Sequence, residues 1–378
     1  MTDRFRFDFS ILLITLILAG FGIVMVYSTS AILAADELKD SFYFLKKQAL
    51  FATGGVFLMA LAMRINYHLW QKLAYPILAV SLLLLTLVLV SGTEASGATR
   101  WLYVGPLSFQ PSELSKLALV VFLSYFLTKK GAKIRTFQFG FLPAILIPGA
   151  MILLVIHQPD FGAALFLGII VMLMLFAAGT RLSYILSMAL IAAPVVYYLI
   201  VKVPYRLHRI MSYLNPWNDP QGTSFQLVQS LVAFGGGGIF GSGLGQGKQK
   251  LFFLPAPHTD FIFSVIGEEI GLIGALIVLG LFLVLCIRGI RVSLDAPDEF
   301  GTYLGLGITS LISLQAIINM AVVLGLLPTK GLTLPFISYG GTSLVVSFVS
   351  VGILLNISSH ALRGAVDRNV GFSGPGRS

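Results

Sequence analysis

The chain has 378 residues, of which 57% are hydrophobic and 11% are charged, and its mean hydropathy is +0.91. Soluble domains carry about 25% charged residues, so this composition excludes a water-soluble fold. The formal net charge of +9 comes from basic residues scattered between apolar runs. This pattern is typical of membrane orientation signals and predicts no nucleic-acid partner.

Ten apolar stretches follow one another along the chain, and each is able to cross a hydrocarbon core of about 30 Å as a helix. The first is longer than the apolar part of a signal peptide, so we interpret it as an uncleaved span. The predicted spans are residues 9–28, 48–63, 73–91, 113–128, 139–156, 161–178, 182–201, 260–287, 302–326 and 341–361. The sequence therefore predicts an all-α integral membrane protein with about ten transmembrane helices, in a single polytopic domain over residues 1–378.

Basic residues fall in alternate short loops, which predicts the orientation of the spans. They are Arg4 and Arg6, then Arg64 and Lys72, then Lys129, Lys130, Lys133 and Arg135, then Arg181, then Arg288 and Arg291, and finally Arg363 and Arg368. Short loops rich in lysine and arginine stay in the cytoplasm, so we expect both termini there. The outward loops are then residues 29–47, 92–112, 202–259 and 327–340.

The large outer loop 202–259, between spans seven and eight, is too long and too aromatic for a plain linker, so we expect a partly helical surface subregion. Its glycine-rich part ends in Lys248, but Ser242 and Gln249 stand where a phosphate-binding loop needs glycine and Ser or Thr. We interpret these glycines as flexible backbone. In residues 332–341, proline and glycine interrupt an apolar stretch, which predicts backbone that lines a cavity or is buried in protein.

Asp260 stands where the large outer loop gives way to an apolar helix. A carboxylate at this point, like Thr259, is a good N-cap and favours the helix dipole. It is equally suited to general-base catalysis, because a carboxyl group beside His258 and apolar Phe261 can have a raised pKa. Position alone leaves both interpretations open.

Glu268 and Glu269 lie about 12–14 Å further along the same helix, inside the predicted membrane region. Acids buried there are costly and need partners or a water-filled cavity. Either these two carboxylates serve the function directly, or they lock helices together through Lys116 or Arg100. Both interpretations carry equal weight.

A further group of charges lies in residues 99–116. Ser112 before Glu113 is typical of ordinary helix capping, whereas Lys116 lies one turn inside the helix, where no cap is needed. If Arg100 and Lys116 converge, they would suit a diphosphate. Asp160, in a tight turn between two spans, is interpreted chiefly as the N-cap of the next helix.

Taken together, these segments resemble the SEDS family of bacterial cell-wall proteins, from the first span to the last. The resemblance is carried by Arg100-Trp101-Leu102, Gln110-Pro111-Ser112-Glu113-Leu114, Gln158-Pro159-Asp160, His258-Thr259-Asp260-Phe261-Ile262-Phe263, Gly267-Glu268-Glu269 and Pro335-Phe336-Ile337-Ser338-Tyr339-Gly340-Gly341. Residues 25–28, 245–250 and 327–331 are more similar to the division branch of the family than to its elongation branch.

The resemblance implies a peptidoglycan glycosyltransferase that polymerises lipid II at the outer face of the bacterial cytoplasmic membrane, as a multi-pass protein of the division septum. It implies that Asp260 is the catalytic acid and that Arg100 and Lys116 bind substrate. Glu113, Asp160 and Lys330 are implied as further site members, and His258, next to Asp260, completes the predicted substrate-binding set.

In the implied reaction, Asp260 takes the proton from the sugar 4-hydroxyl of lipid II while undecaprenyl diphosphate leaves the growing strand. Arg100, Lys116 or a divalent metal, magnesium or manganese, would stabilise the diphosphate. The implied partners are lipid II, glycan linked to undecaprenyl diphosphate, a class B penicillin-binding protein, division proteins and membrane lipids.

Three alternatives stay open. A lipid flippase or transporter would use embedded acids and broken helices along a translocation path. A non-catalytic scaffold would instead recruit a synthase to the septum. The third alternative keeps the reaction but assigns it to cell elongation.

Overall fold

The computed structural model describes residues 7–95, 98–105, 107–249 and 257–371. Within these ranges the α-helices are α1 (Phe9–Leu38), α2 (Tyr43–Arg64), α3 (His68–Lys72), α4 (Ala74–Ser91), α5 (Pro111–Lys130), α6 (Leu142–His157), α7 (Phe161–Ala177), α8 (Leu182–Val201), α9 (Pro204–Leu214), α10 (Phe225–Gly237), α11 (Ile262–Leu294), α12 (Glu299–Val323) and α13 (Gly341–Gly371). Each of the ten predicted spans corresponds to one of these helices.

Eight helices of the described chain are long and apolar enough to cross a membrane: α1, α2, α4, α6 with the turn before it, α8, α11, α12 and α13. The chain is therefore a multi-pass helical membrane protein. Of the two remaining predicted spans, α7 has 17 residues and α5 carries charges near both ends. Both pack inside the bundle, where protein surrounds much of their surface.

Several helices run past the predicted limits. Helix α1 continues ten residues beyond residue 28, through Asp36 and Glu37, because no glycine or proline stops it. It ends where Lys39 adopts a left-handed conformation with φ 57°. Helix α11 likewise extends to Leu294 instead of residue 287. Polar residues at these ends stay helical outside the apolar stretch, which is why hydropathy alone placed the limits too early.

Three short strands between Thr93 and Phe109 form a small sheet, where the sequence predicted only an outward loop. Strands β1 (Thr93–Ala95), β2 (Ala98–Val104) and β3 (Leu107–Phe109) pair antiparallel in the order β1-β2-β3. The structure is consistent with the predicted all-α class, and these short strands are an addition to it that the sequence did not predict. Strand β2 is rich in aromatic and β-branched residues, which favour extended backbone.

The core of the bundle is built from α5, α12 and α13, which pack against one another and against α2, α7 and α11. Helix α8, by contrast, is almost entirely exposed, because Ile185 is the one buried residue along its length. Leu190 and Ile191, both more than two-thirds exposed, face outward as on a lipid-facing helix. The embedded polar groups therefore concentrate on the enclosed helices.

Helix α11 is broken in its first third, at Gly271, and the glycine-rich segment 235–247 supplies hydrogen-bond partners at the break. Gly271 has φ 76°, so the helical hydrogen-bond ladder is interrupted there. Leu272 N donates to Gly238 O at 3.0 Å, and Ser242 N donates to Glu268 O at 2.9 Å. These glycines thus complete the backbone hydrogen bonding of a membrane helix, so their interpretation as merely flexible backbone was wrong.

The carboxylates of the two adjacent acids also have partners close to this break. Glu268 Oε1 accepts from Lys248 N at 2.6 Å, and Glu269 accepts from Ser28 Oγ at 2.7 and 2.9 Å. The second contact joins α11 to α1. The predicted lock between helices is therefore present, but the predicted partners, Lys116 and Arg100, were wrong.

Candidate functional site

Two chain segments meet at one end of the bundle, which we name the Asp260 end. They are the Asp260 turn, residues 257–261, and the loop 327–340. Ser338 Oγ donates to Thr259 O at 2.6 Å, and Tyr339 N donates to His258 O at 2.9 Å. These bonds fix the backbone on which Asp260 stands.

A third contact comes from within the bundle. Asn319 of α12 donates through Nδ2 to Asp260 O at 2.8 Å and to Leu332 O at 2.6 Å. One buried amide thus holds both segments. The interrupted apolar stretch 332–341 is accordingly packed against protein, as its proline and glycine pattern predicted.

The half-buried carboxyl group of Asp260 faces the backbone of the loop 327–340. A Cβ atom at Gly331 would lie 3.0 Å from Asp260 Oδ2, so glycine leaves room for the carboxylate. Helix α11 begins at Ile262 after Phe261 and has no side-chain cap bond among the described residues. The interpretation of Asp260 or Thr259 as an N-cap was therefore wrong, and the carboxylate is left for another role.

The charge state of Asp260 is set by burial and by three charged neighbours. Burial raises the pKa of Asp260 from 3.8 to about 6, while the positive charges of Arg209 and Arg100 lower it and the negative charge of Asp160 raises it. A carboxyl group with this pKa is ionised at neutral pH yet is a stronger base than an exposed one. It therefore has the property that a general base needs.

Arg100 and Asp160 meet next to this carboxylate. Arg100, on strand β2, donates through Nη2 to Pro159 O at 3.2 Å, and its Nε lies 3.9 Å from Asp160 Oδ2. Asp160 Oδ1 accepts from Ala163 N at 3.1 Å, which confirms its predicted role as the N-cap of α7. The unpredicted sheet is therefore the element that brings Arg100 to the site.

Lys330 joins the same group from the loop 327–340. Its aliphatic chain lies beside Gly162, where a Cβ atom would come within 3.8 Å of Lys330 Cδ. Burial lowers the pKa of Lys330 to about 8, and the charge of Asp160 works in the opposite direction. Lys330 is thus mostly protonated at neutral pH.

Lys116 and Glu113 form a separate, buried pair. Lys116 is 1% exposed, and its Nζ bonds Glu113 Oε1 at 2.7 Å and Gln315 Oε1 at 3.0 Å. Arg100 instead contacts Pro159 and Asp160, so the predicted convergence of the two cations is not observed. Gln315 Nε2 in turn donates to Thr333 O at 3.0 Å, which links Lys116 to the loop 327–340.

The start of α5 also differs from its predicted form. The residue at its N-cap is Gln110, followed by Pro111, and within the described residues no side chain caps this helix end. The interpretation of Ser112 as a cap was therefore wrong. Proline at the first helical position needs no hydrogen-bond partner for its nitrogen, so this end is stable without a capping side chain.

His258 packs as an aromatic ring beside the catalytic candidate. Its ring centroid lies 4.5 Å from that of Phe44 and 5.6 Å from that of Tyr339. Burial lowers the pKa of His258 to about 4, so the ring is neutral at physiological pH. Its Nδ1 has no hydrogen-bond partner within the part of the chain that the structure describes.

Arg209 is the site residue that the sequence did not single out. It lies on α9, donates through Nη1 to Thr329 O at 3.1 Å, and is the cation with the largest effect on Asp260. The available signal was the spacing of Arg206 and Arg209, one turn apart on a short outer helix. Charges in long loops carry no orientation signal, so the topology argument gives no reason to single out these arginines.

The predicted divalent metal has little support from the side chains. Over the described ranges, no group of three histidine, cysteine, aspartate or glutamate residues is arranged to hold a metal ion. Asp160 and Asp260 lie among cationic side chains, which oppose the binding of a further cation. We therefore derive no step through a metal.

The fold and the site define a class of protein: a polytopic helical membrane protein with a basic carboxylate and several cations at one end of its bundle. Residues 9–363 match the FtsW/RodA/SpoVE family, described as cell cycle proteins. The chain belongs to this family, which confirms the resemblance to the SEDS proteins.

Individual relatives are similar over nearly the whole chain. A probable peptidoglycan glycosyltransferase FtsW of Geobacter sulfurreducens is 52% identical over 95% of this chain and 97% of its own length. The stage V sporulation protein E of Bacillus subtilis is 45% identical over 94% of this chain and 97% of its own. The division branch of the family is thus favoured over the elongation branch.

Solved structures share the fold. A chain from a peptidoglycan synthase complex, described as coordinating polymerisation and crosslinking, superposes with a TM-score of 0.78 at 31% identity, covering 94% of this chain and 98% of its own. The rod-shape-determining protein RodA of Thermus thermophilus superposes with a TM-score of 0.71 at 28% identity, with the same coverage.

Proposed function

We propose that this chain is a peptidoglycan glycosyltransferase that polymerises lipid II at the outer face of the cytoplasmic membrane during cell division. The observation that carries the proposal is the Asp260 carboxyl group, with a pKa of about 6, beside Arg100, Arg209 and Lys330. The names of the relatives and of the peptidoglycan synthase complex support the same activity.

The proposed topology has ten spans with both termini in the cytoplasm. The sheet, α9 and the loop 327–340 lie with Asp260 at one end of the bundle, whereas the short loops rich in lysine and arginine lie at the other end. The positive-inside rule then supports an outward-facing Asp260. A base at this boundary has access both to lipid tails in the bilayer and to sugars in water.

In the proposed reaction, the 4-hydroxyl oxygen of an incoming lipid II attacks the anomeric carbon of the growing strand. The new glycosidic bond forms as the bond to undecaprenyl diphosphate breaks, and the hydroxyl proton passes to Asp260. The leaving diphosphate gains negative charge, which Arg100, Arg209 and Lys330 stabilise. This electrostatic contribution needs the cations at fixed positions. The hydrogen bonds of Arg100 to Pro159 O and of Arg209 to Thr329 O hold these two side chains in place.

Lys116 and Glu113 are proposed to hold the loop 327–340 in position from inside the bundle, without contacting the substrate. Their ion pair is enclosed, so a substrate would have to break it before touching either group. Through Gln315, the pair instead holds the backbone of Thr333 and hence the loop that faces Asp260.

The partners and the location remain as the resemblance implied. We propose a class B penicillin-binding protein as the partner at the septum, together with division proteins and membrane lipids. The description of the similar complex, which couples polymerisation to crosslinking, supports a crosslinking partner.

A flippase is less well supported. Such a protein would use Glu268 and Glu269 along a path, yet both carboxylates are engaged in hydrogen bonds that stabilise the broken helix.

Incubation of the purified chain with fluorescent lipid II, with and without its partner, tests the proposal. We expect the wild type to give glycan polymer, Asp260→Asn to bind lipid II without forming polymer, and Asp36→Asn, an exposed outer acid, to behave as wild type. Polymer from Asp260→Asn would refute the assigned role of that residue. No polymer from the wild type under either condition would instead support a scaffold, and movement of labelled lipid across vesicles would support a flippase.

A further inference from the structure

A cavity opens beside the site, between α9, α10 and Thr329. We name it the α9–α10 pocket. Its volume is about 330 Å³, at the lower end of the about 300–1,000 Å³ that is usual for small-molecule sites. This volume suits a ligand of one or two rings. Of its lining residues, Arg209 is the one to which a role in the reaction was assigned above.

One buried polar group in the α9–α10 pocket lacks a partner. Ser212 is 8% exposed, and its Oγ makes no hydrogen bond within the described residues. The Oγ atom itself has almost no accessible surface, so it lies in the wall behind the pocket surface. The hydrogen-bonding groups that a ligand would meet therefore come from other lining residues.

The remaining lining residues favour a carbohydrate. Tyr205 and Tyr213 supply aromatic surface, against which the C–H face of a sugar ring packs. His208 and Gln226 supply hydrogen-bonding groups for hydroxyls and N-acetyl groups. Arg209 is the one charged side chain among the described lining residues. Asp219 lies behind the rim, where it accepts from Thr223 N and Oγ1, so an anionic substituent on the sugar is accommodated on the Arg209 side of the pocket.

Arg209 also connects the α9–α10 pocket to the catalytic candidate. Its guanidinium lines the pocket, bonds Thr329 O next to Lys330, and lowers the pKa of Asp260 by its charge. A ligand in the pocket is thus one side chain away from the reacting group. A chain of linked sugars extending outward from Asp260 would pass along α9.

We propose that the α9–α10 pocket is a subsite that binds a sugar unit of the growing glycan strand, adjacent to the unit that reacts at Asp260. The proposal rests on the proposed function, because the glycan is the product of that reaction. It adds a binding role for the loop 202–259. Gln226 and His208 recognise the sugar, and Tyr213, whose hydroxyl donates to Leu326 O at 3.0 Å, holds α9 in place.

The test measures binding of a soluble tetrasaccharide of alternating N-acetylglucosamine and N-acetylmuramic acid to the full-length protein in detergent, by saturation-transfer NMR. Gln226→Ala removes one hydrogen-bonding group and is expected to weaken binding about 3- to 10-fold. Gln229→Ala, on the same helix but outside the pocket, is the matched control and should bind as wild type. Thr223→Trp fills the pocket from its exposed rim and should weaken binding more than 10-fold. Because it also removes the hydrogen bond from Thr223 Oγ1 to Asp219, Thr223→Val, which loses that bond without filling the pocket, is its control and should bind as wild type.

The outcomes separate this inference from the proposed function. If the wild type polymerises lipid II but Gln226→Ala and Thr223→Trp bind the tetrasaccharide normally, the pocket is not the sugar subsite. If the tetrasaccharide binds as predicted but no polymer forms, the assignment of the pocket as a sugar-binding site is supported and the proposed function is refuted. Displacement of the tetrasaccharide by inorganic pyrophosphate would overturn the sugar assignment in favour of an anion site around Arg209.

Discussion

Replacement of Asp260 by asparagine is expected to stabilise the protein above pH 6 although it abolishes catalysis. Burial raises the pKa of Asp260 from 3.8 to about 6, so the ionised carboxylate destabilises the folded state. The difference of about two pH units corresponds to about 3 kcal/mol. For an acid with a raised pKa, this cost is fully present above pH 6 and is lost as the pH falls towards 3.8.

Asparagine carries no charge at any pH, so the variant should avoid this cost. Scanning fluorimetry in detergent should give an apparent Tm for Asp260→Asn about 3–6 °C above wild type at pH 8. The gap should shrink steadily between pH 6 and pH 4. Asp36→Asn, which removes an exposed acid, should show no such gap. An Asp260→Asn protein that is no more stable than wild type at pH 8 would refute burial as the cause of the raised pKa.

Three further predictions concern the surroundings of the site. Arg209→Gln removes a positive charge that lowers the pKa of Asp260, so the acid limb of the pH–rate profile should move to higher pH by about half to one unit. Arg206→Gln, one turn away, is the control and should leave this limb in place. Lys116→Met leaves Glu113 buried without its ion-pair partner, which should lower the free energy of unfolding by about 3–5 kcal/mol and lower the apparent Tm. An unchanged Tm would contradict the buried ion pair. Gly271→Ala puts a Cβ against the backbone of the glycine-rich segment at φ 76° and should lower the Tm, whereas Gly280→Ala, with open space around it, should not.

The long helices were predictable because an apolar run inside a membrane can adopt few backbone conformations. Each unbroken run must form its hydrogen bonds within itself, and a helix is the simplest way. The break at Gly271 was not predictable in this way. Its repair depends on a segment about thirty residues earlier, and nothing in the local pattern of α11 reports that contact. The small sheet was missed for a similar reason, since short strands give a weak signal beside strong apolar runs.

The candidate site was predictable in part. Asp260 was singled out by its position, but whether it capped the helix depended on where α11 begins, and helix limits are poorly defined by sequence. Lys116 was noticed as a charge inside a helix, yet its partner Gln315 is 199 residues away. Arg209 and Thr329, 120 residues apart, posed the same difficulty. Contacts between distant segments, more than residue types, separate the observed site from the predicted one.

The two hydrogen bonds from Asn319 have a mechanical consequence. Both faces of the reaction centre, the turn that carries the base and the loop opposite, take their position from the same amide on an enclosed helix. The width of the gap between the Asp260 carboxyl group and the facing backbone therefore depends on a side chain inside the protein. A substitution at Asn319 would displace both segments at once.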